Sequence, residues 1–211
     1  MTTNNFDKVA PYYDQLARLI FSDSIKKAQL EFLDQIKPKS KVLILGGGTG
    51  WIIQELMAIE KDVEVFYVEK SSKMLEIARS RLNSEDLQKT HFIYNSIEDW
   101  NTEINFDIVI CNFFLDVFSE VKLQQKIIPK LKYLLKSGGK LLVADFQNKK
   151  NLLWQKLLLW MMHVFFGKVS KLESKQLTNF GDVLGRAGFD LEIERDFHRS
   201  MIFSQVYGLK S

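Results

Sequence analysis

Four glycines fall within five positions, Gly46, Gly47, Gly48 and Gly50, directly after the unbroken apolar run Val42–Leu45. Removing side chains there lets the backbone turn sharply and lets a ligand approach the main chain, with the N–H groups of a following helix aimed at it. That is the construction of a nucleotide-type site at the mouth of a buried strand. A glycine turn without a ligand would carry the same entropic cost with nothing to offset it. The dinucleotide fingerprint needs a third glycine, or an alanine, three places after the second, and that place holds Trp51. The pattern is instead Gly46-x-Gly48-x-Gly50, with Glu69 nineteen residues past the last glycine. A carboxylate at the end of a second strand can accept hydrogen bonds from both hydroxyls of an adenosine ribose. Taken alone, Glu69 could equally be a solvated strand end pairing with Lys70 or Lys73; joined to the loop, the ribose reading is preferred.

The elements that must position these residues follow from hydrophobic periodicity. Ile25, Ala28, Gln29, Phe32, Leu33 and Ile36 recur every three or four residues after Ser22 and Ser24, which predicts one amphipathic helix ending at Lys37-Pro38. Strands are expected at Val42–Leu45, Val63–Val68, His91–Tyr94, Asp107–Cys111 and Lys140–Phe146. Helices are expected at Trp51–Ile59, Ser71–Leu82 and Ser119–Leu135, the last bent at Pro129. Strands alternating with helices imply parallel crossovers and a sheet covered on both faces. After a helix through Leu152–Phe166 and another over Thr178–Ala187, closed by Gly188, the runs Phe189–Phe197 and Met201–Tyr207 are joined by only His198, Arg199 and Ser200. Three residues suit a hairpin and are too few for a crossover. The expectation is a Rossmann-like, doubly wound α/β fold with a seven-stranded sheet, mostly parallel and ending in an antiparallel hairpin. One domain should span 1–211, with an N-terminal helical lid (1–37), a cofactor-binding core (38–146) and C-terminal helices with the terminal strand pair (147–211).

The sequence resembles the class I S-adenosylmethionine-dependent methyltransferases. The likeness rests on four motifs in order: the glycine loop; Val65-Phe-Tyr-Val-Glu69-Lys-Ser-Ser-Lys-Met74-Leu75; Phe106-Asp-Ile-Val-Ile-Cys-Asn112; and Leu134-Leu-Lys-Ser-Gly138-Gly139-Lys-Leu-Leu-Val-Ala-Asp-Phe146. The opening Phe6-Asp-Lys-Val-Ala-Pro-Tyr-Tyr13-Asp14 and the last of these motifs are similar to the ubiquinone and menaquinone C-methyltransferases. The resemblance implies S-adenosyl-L-methionine as cofactor. It places Gly46, Gly48 and Gly50 against the methionyl and adenosyl parts, Glu69 on the ribose and Lys70 beside the adenine. Ser96, Ile97 and Glu98 would lie at the adenine amino group, Asn112 at the methionyl end, and Tyr13 over the cofactor as part of the lid. Two departures stand out. Ser96 replaces an aspartate the family often has, and Ile44 stands where the family usually has an acid that helps hold the methionyl amino group. A three-glycine loop without that acid is also similar to aminopropyltransferases, but those have an added N-terminal β domain and an aspartate in place of Asn112. The missing acid equally suits a non-catalytic S-adenosylmethionine-binding protein.

Methyl transfer from a sulfonium is an in-line displacement with a neutral leaving group, so positioning comes first and a base is optional. Asp116, Asp145, His163 and His198 are candidate bases. Each has a plainer structural reading, a capping aspartate or a partly buried histidine, and no catalytic residue is assigned. Trp154, Trp160, Met161, Met162, Phe165 and Phe166 make the segment around them apolar almost all round, and residues 147–175 carry six lysines against Glu173, a local net of +5. We prefer a lid or dimer helix with solvated lysines; the alternative is contact with an anionic membrane surface and a lipid or quinone acceptor.

Composition narrows the remaining classes. The 211 residues are 46% hydrophobic and 26% charged, which suits one globular domain and excludes disordered or collagenous chains. A net charge of +3, from 29 basic against 26 acidic residues, is too balanced to argue for nucleic acid as partner. The lone Cys111 and the scattered His91, His163 and His198 exclude a disulfide scaffold and a Cys/His zinc site. The start lacks a basic end followed by an apolar run, and Leu152–Phe166 is shorter than the roughly 20 apolar residues of a span, so a cytoplasmic location is expected.

Overall fold

The computed structural model describes residues 23–59, 62–147 and 180–210. Seven strands form one sheet in the order β3-β2-β1-β4-β5-β7-β6. They are β1 Lys41–Leu45, β2 Glu64–Glu69, β3 Thr90–Tyr94, β4 Phe106–Asn112, β5 Leu135–Phe146, β6 Phe189–Phe197 and β7 Ile202–Leu209. β1 to β5 pair in parallel, whereas β7 runs antiparallel to both β5 and β6. The expected α/β sheet with its terminal hairpin is the observed one.

The alternation of side chains along each strand divides the core between two faces. Val42 and Ile44 of β1 pack with Val65 and Tyr67 of β2 and with Ile108 and Ile110 of β4. Two helices cover that face: α2, Trp51–Ile59, through Ile52, Ile53 and Leu56, and α3, Ser72–Ser80, through Leu75 and Ala78. Leu43, Leu45, Val109, Cys111, Leu141 and Val143 point to the other face. There Leu131 and Leu134 of the helix Ile128–Leu134 and Val183 and Leu184 of the helix Phe180–Arg186 close the core. Strands with no polar residue at their centres are what burial on both faces requires. The chain therefore winds to one side of β1 through β2 and β3 and to the other through β4 and β5, and the crevice between β1 and β4 is the topological switch point where ligands bind in such sheets.

Several elements differ from the sequence expectation. The helix expected over Ile25–Ile36 ends early: α1 covers Ser24–Leu30, and a separate 3₁₀ turn, Leu33–Gln35, follows, so Ile36 is buried from an extended position. The helix expected over Ser119–Leu135 is a short α turn at Glu120–Lys122, a wide π turn at Leu123–Ile127, and then Ile128–Leu134 with Pro129 in its first turn. The expected helix therefore runs unbroken from Glu120 to Leu134, and Pro129 follows its π turn, where a missing N–H is accommodated. A short helix, α4, Ser84–Gln88, was not foreseen; Asn83 caps it, its Oδ1 accepting from the N–H groups of Glu85 and Asp86 at 2.9 Å each. β5 begins at Leu135 rather than Lys140 because Gly138 and Gly139 make a bulge: Phe106 pairs with Leu135, but Ile108 pairs with Lys140. The hairpin tip is His198–Ser200 as expected, with all three residues at positive φ. The helix expected over Leu152–Phe166 lies outside the described residues.

Candidate functional site

β1 delivers the glycine loop to the crevice, and β2 delivers Glu69 beside it. The N–H of Gly48 donates to Glu69 Oε2 at 3.2 Å, and the N–H of Ser71 donates to Oε1 at 2.9 Å. Glu69 is buried, and burial raises its carboxyl above the ordinary range against the opposing pull of the Ser71, Gly48 and Lys70 backbone groups. Each carboxylate oxygen keeps further acceptor capacity, so a vicinal diol can be received on a group already held by the loop. Ser71 then caps α3, its Oγ accepting from Met74 N–H at 3.2 Å. Strand end, acid and helix start thus form one short continuous device.

The loop glycines serve different ends. A Cβ on Gly50 would lie 2.4 Å from Ala78 Cβ and 2.5 Å from Ala78 Cα, so Gly50 is there to let α3 pack, and its φ of +80° adds a second demand. At Gly46 a Cβ would strike the ring of Phe114, and at Gly47 the ring and hydroxyl of Tyr67. Gly48 differs: its φ is +62°, yet among the described residues a Cβ would meet nothing closer than Met74 Sδ at 3.8 Å. The open approach to the loop is therefore at Gly48, beside Glu69. A cradle that is open where the acid stands fits an adenosine group.

Lys70 is exposed at the rim beyond Glu69. Ser96 begins the turn after β3, but its Oγ donates to Asp99 Oδ2 at 2.7 Å and so caps its own turn. Ile97 is buried in the core cluster next to that turn, and Glu98 forms an ion pair with Lys122 at 2.8 Å. Asn112 ends β4 opposite the glycine loop: Oδ1 accepts from Ala144 N–H at 3.1 Å, and Nδ2 is buried with no hydrogen-bond partner among the described residues. An orphaned donor at the mouth of the crevice suits a ligand carrying an acceptor. Tyr13 and His163 lie outside the described residues. His198 stands at the hairpin tip with Nδ1 3.4 Å from Ser24 Oγ, and burial lowers its pKa. Ile44 is 1% exposed and packs in the core, so no charge stands at that position.

Three residues that support the loop were missed. Tyr67 is fully buried and donates from its hydroxyl to Gly48 O at 3.0 Å. Arg81 donates from Nε to Thr49 O at 2.7 Å. Phe114, two residues past Asn112, lies against Gly46. Tyr67 left a signal, since it shares a strand face with Glu69 and pairs in register with Ile44; Gly47 is the room made for it.

Residues 36–182 match the profile of a family described as a methyltransferase domain. The chain is 30% identical over 184 residues to the ubiquinone/menaquinone biosynthesis C-methyltransferase UbiE of Blochmanniella floridana, covering 83% of this chain and 71% of that protein. It is 27% identical over 145 residues to the malonyl-acyl-carrier-protein O-methyltransferase 1 of Ilyobacter polytropus, covering 69% of this chain and 52% of that one. The chain thus spans between about half and seven-tenths of the length of these relatives. Among solved structures, the glycopeptide N-methyltransferase MtfA complexed with S-adenosylmethionine superposes with a TM-score of 0.65 at 14% identity, over 88% of this chain and 94% of that one.

Proposed function

Because this chain belongs to the methyltransferase-domain family, we propose that it binds S-adenosyl-L-methionine in the β1/β4 crevice and transfers its methyl group to a small, apolar or lipid-like acceptor. The observation that carries the reading is the Gly48 N–H to Glu69 Oε2 contact at 3.2 Å, which joins the open point of the loop to a ribose-binding acid. Glu69 would receive the ribose hydroxyls, Gly46, Gly48 and Gly50 would line the adenosyl and methionyl parts, and Asn112 Nδ2 would meet the methionyl end. Lys70, Ser96, Ile97 and Glu98 would border the adenine. The cofactor, when bound, supplies an electrophilic methyl on a sulfonium. The protein's own work is to hold Glu69 oriented on the Gly48 and Ser71 N–H groups, to keep Asn112 desolvated, and to fix the acceptor in line.

The acceptor class is supported by relatives named for quinone and acyl-carrier substrates and by the greasy, basic stretch 147–175, which would offer a contact with an anionic membrane surface. Among the described residues no helix is long and apolar enough to cross a membrane, which is compatible with a cytoplasmic protein working at such a surface. Thermal shift tests the cofactor assignment. S-adenosylmethionine and S-adenosylhomocysteine should each raise the melting temperature, NAD should not, and Glu69→Ala should abolish most of the shift, since hydrogen bonds to a charged group contribute about 1.5–3 kcal/mol. Stabilisation by NAD alone would refute the proposal.

A further inference from the structure

The far wall of the crevice is held by a group that the cofactor reading does not use. Asp145, next to last in β5, is wholly buried. Its Oδ1 accepts from Phe146 N–H at 2.8 Å, and the N–H groups of Leu115 and Asp116 also face the carboxyl. Leu115 and Asp116 belong to the 3₁₀ turn Leu115–Val117 just past β4. The same segment is tied to β5 twice more, by Phe113 N–H to Ala144 O at 2.7 Å and by Ala144 N–H to Asn112 Oδ1 at 3.1 Å. Between these ties sits Phe114, whose ring lies against Gly46. The position of Phe113, at a φ of +51°, is thus dictated from β5.

We propose that Asp145 is a positioning residue: by gathering the Leu115 and Asp116 N–H groups it fixes the turn that sets Phe114 on Gly46 and Asn112 at the mouth, and so shapes the methionyl end of the cofactor site. The inference rests on the cofactor reading above. Asp145 acts in its neutral form. Among the described residues its Oδ2 is buried without a hydrogen-bond partner, a position that an ionised oxygen tolerates poorly and a protonated carboxyl tolerates better. Burial first, and the Asp116 charge second, hold its carboxyl far above the usual range. The groups around it among the described residues are Asp116 on the turn and Cys111 on β4, whose thiol is itself pushed up by burial and by Asp145; the residue opposite on β7 is Phe203. With no cation in that set, ionising Asp145 should set two negative charges against each other where β5 meets that turn, and loosen it.

Calorimetric titration of S-adenosylmethionine into wild type, Asp145→Asn and Asp145→Leu between about pH 6 and pH 9 tests this. Asp145→Asn keeps a carbonyl acceptor and a donor, so its affinity should stay within about threefold of wild type at neutral pH; Asp145→Leu should lose about tenfold or more. Wild-type affinity should decline relative to Asp145→Asn as pH rises. Asp145→Leu binding as wild type does, or Asp145→Asn as weak as Asp145→Leu, overturns the proposal. If circular dichroism shows Asp145→Leu unfolded, Asp145→Ala takes its place, and that variant binding as tightly as wild type overturns the proposal. Wild type failing to bind at any pH refutes the cofactor assignment instead, and the inference with it.

Discussion

On the β1–β2 side of the crevice the buried acid, Glu69, is met by backbone N–H groups on both oxygens, while on the β4–β5 side Asn112 Nδ2 and Asp145 Oδ2 are buried with no partner among the described residues. The first side is finished before any ligand arrives, because its parts lie close in sequence: Gly48 and Glu69 are 21 positions apart and Ser71 two further on. The second side is assembled across the sheet, with Ala144 reaching back 32 positions to Asn112. A preformed half binds and orients; a half with unsettled polar groups is where protonation and ligand contacts can still change the shape.

The largest test of the contrast sits within the glycine loop itself. Gly50→Ala would drive a Cβ into the backbone of α3 at φ +80°, so overpacking and left-handed strain together should destabilise the fold by about 3 kcal/mol in urea melts. Gly48→Ala meets only the strain, about 1–2 kcal/mol, yet should remove most of the stabilisation that S-adenosylmethionine confers, because the added methyl stands at the open approach. Equal stability losses with equal ligand shifts would mean that the loop is not divided between packing and binding.

That division also marks how far the sequence could be read. The strand–loop–helix–strand order, the terminal hairpin and the nearness of Glu69 to the glycine loop are legible, since each follows from periods and spacings within about 25 residues. The break of the first helix at Leu30, the π turn before Pro129 and the role of Phe114 are not. The last depends on a distant strand: the Phe113 N–H is held by Ala144 O, and nothing in Asn112-Phe113-Phe114 announces a ring meant for Gly46. Ser96 lies in the turn after β3 that the sequence places there, and its bond to Asp99 is a local contact that spacing does not announce.

The preformed side should titrate differently from the other. Glu69 must be ionised to accept the ribose hydroxyls, and burial raises its pKa. Affinity for S-adenosylmethionine should therefore weaken as pH falls through that raised value, by up to tenfold per unit, about 1.4 kcal/mol. Folding stability should move the opposite way. The native state keeps Glu69 protonated at pH values where the unfolded chain has lost the proton, so this group adds stability as pH falls between the raised pKa and its unfolded value near 4.5. Affinity on the Asp145 side is expected to fail in the alkaline direction, so a binding profile flat on its acid limb would place the ribose elsewhere than on Glu69.

The smallest expected effect asks what replaces the acid missing at Ile44. Ile44 and Tyr67 are register partners on neighbouring strands, and the tyrosine hydroxyl donates to Gly48 O at 3.0 Å from a fully buried ring. A buried apolar residue in β1 cannot tie down the loop; the next strand does so with a phenol, and Gly47 has no side chain because the phenol fills that space. Tyr67→Phe keeps the ring and removes one neutral hydrogen bond, leaving Gly48 O unpaired. The loss should be about 1 kcal/mol of stability. Because Gly48 is also the open point beside Glu69, cofactor affinity should fall with it, by a few-fold, in the same titration. A variant that loses stability but binds as wild type does would show that the phenol only supports the fold, and that the loop is held in its binding shape by its other ties, to Glu69 and Arg81.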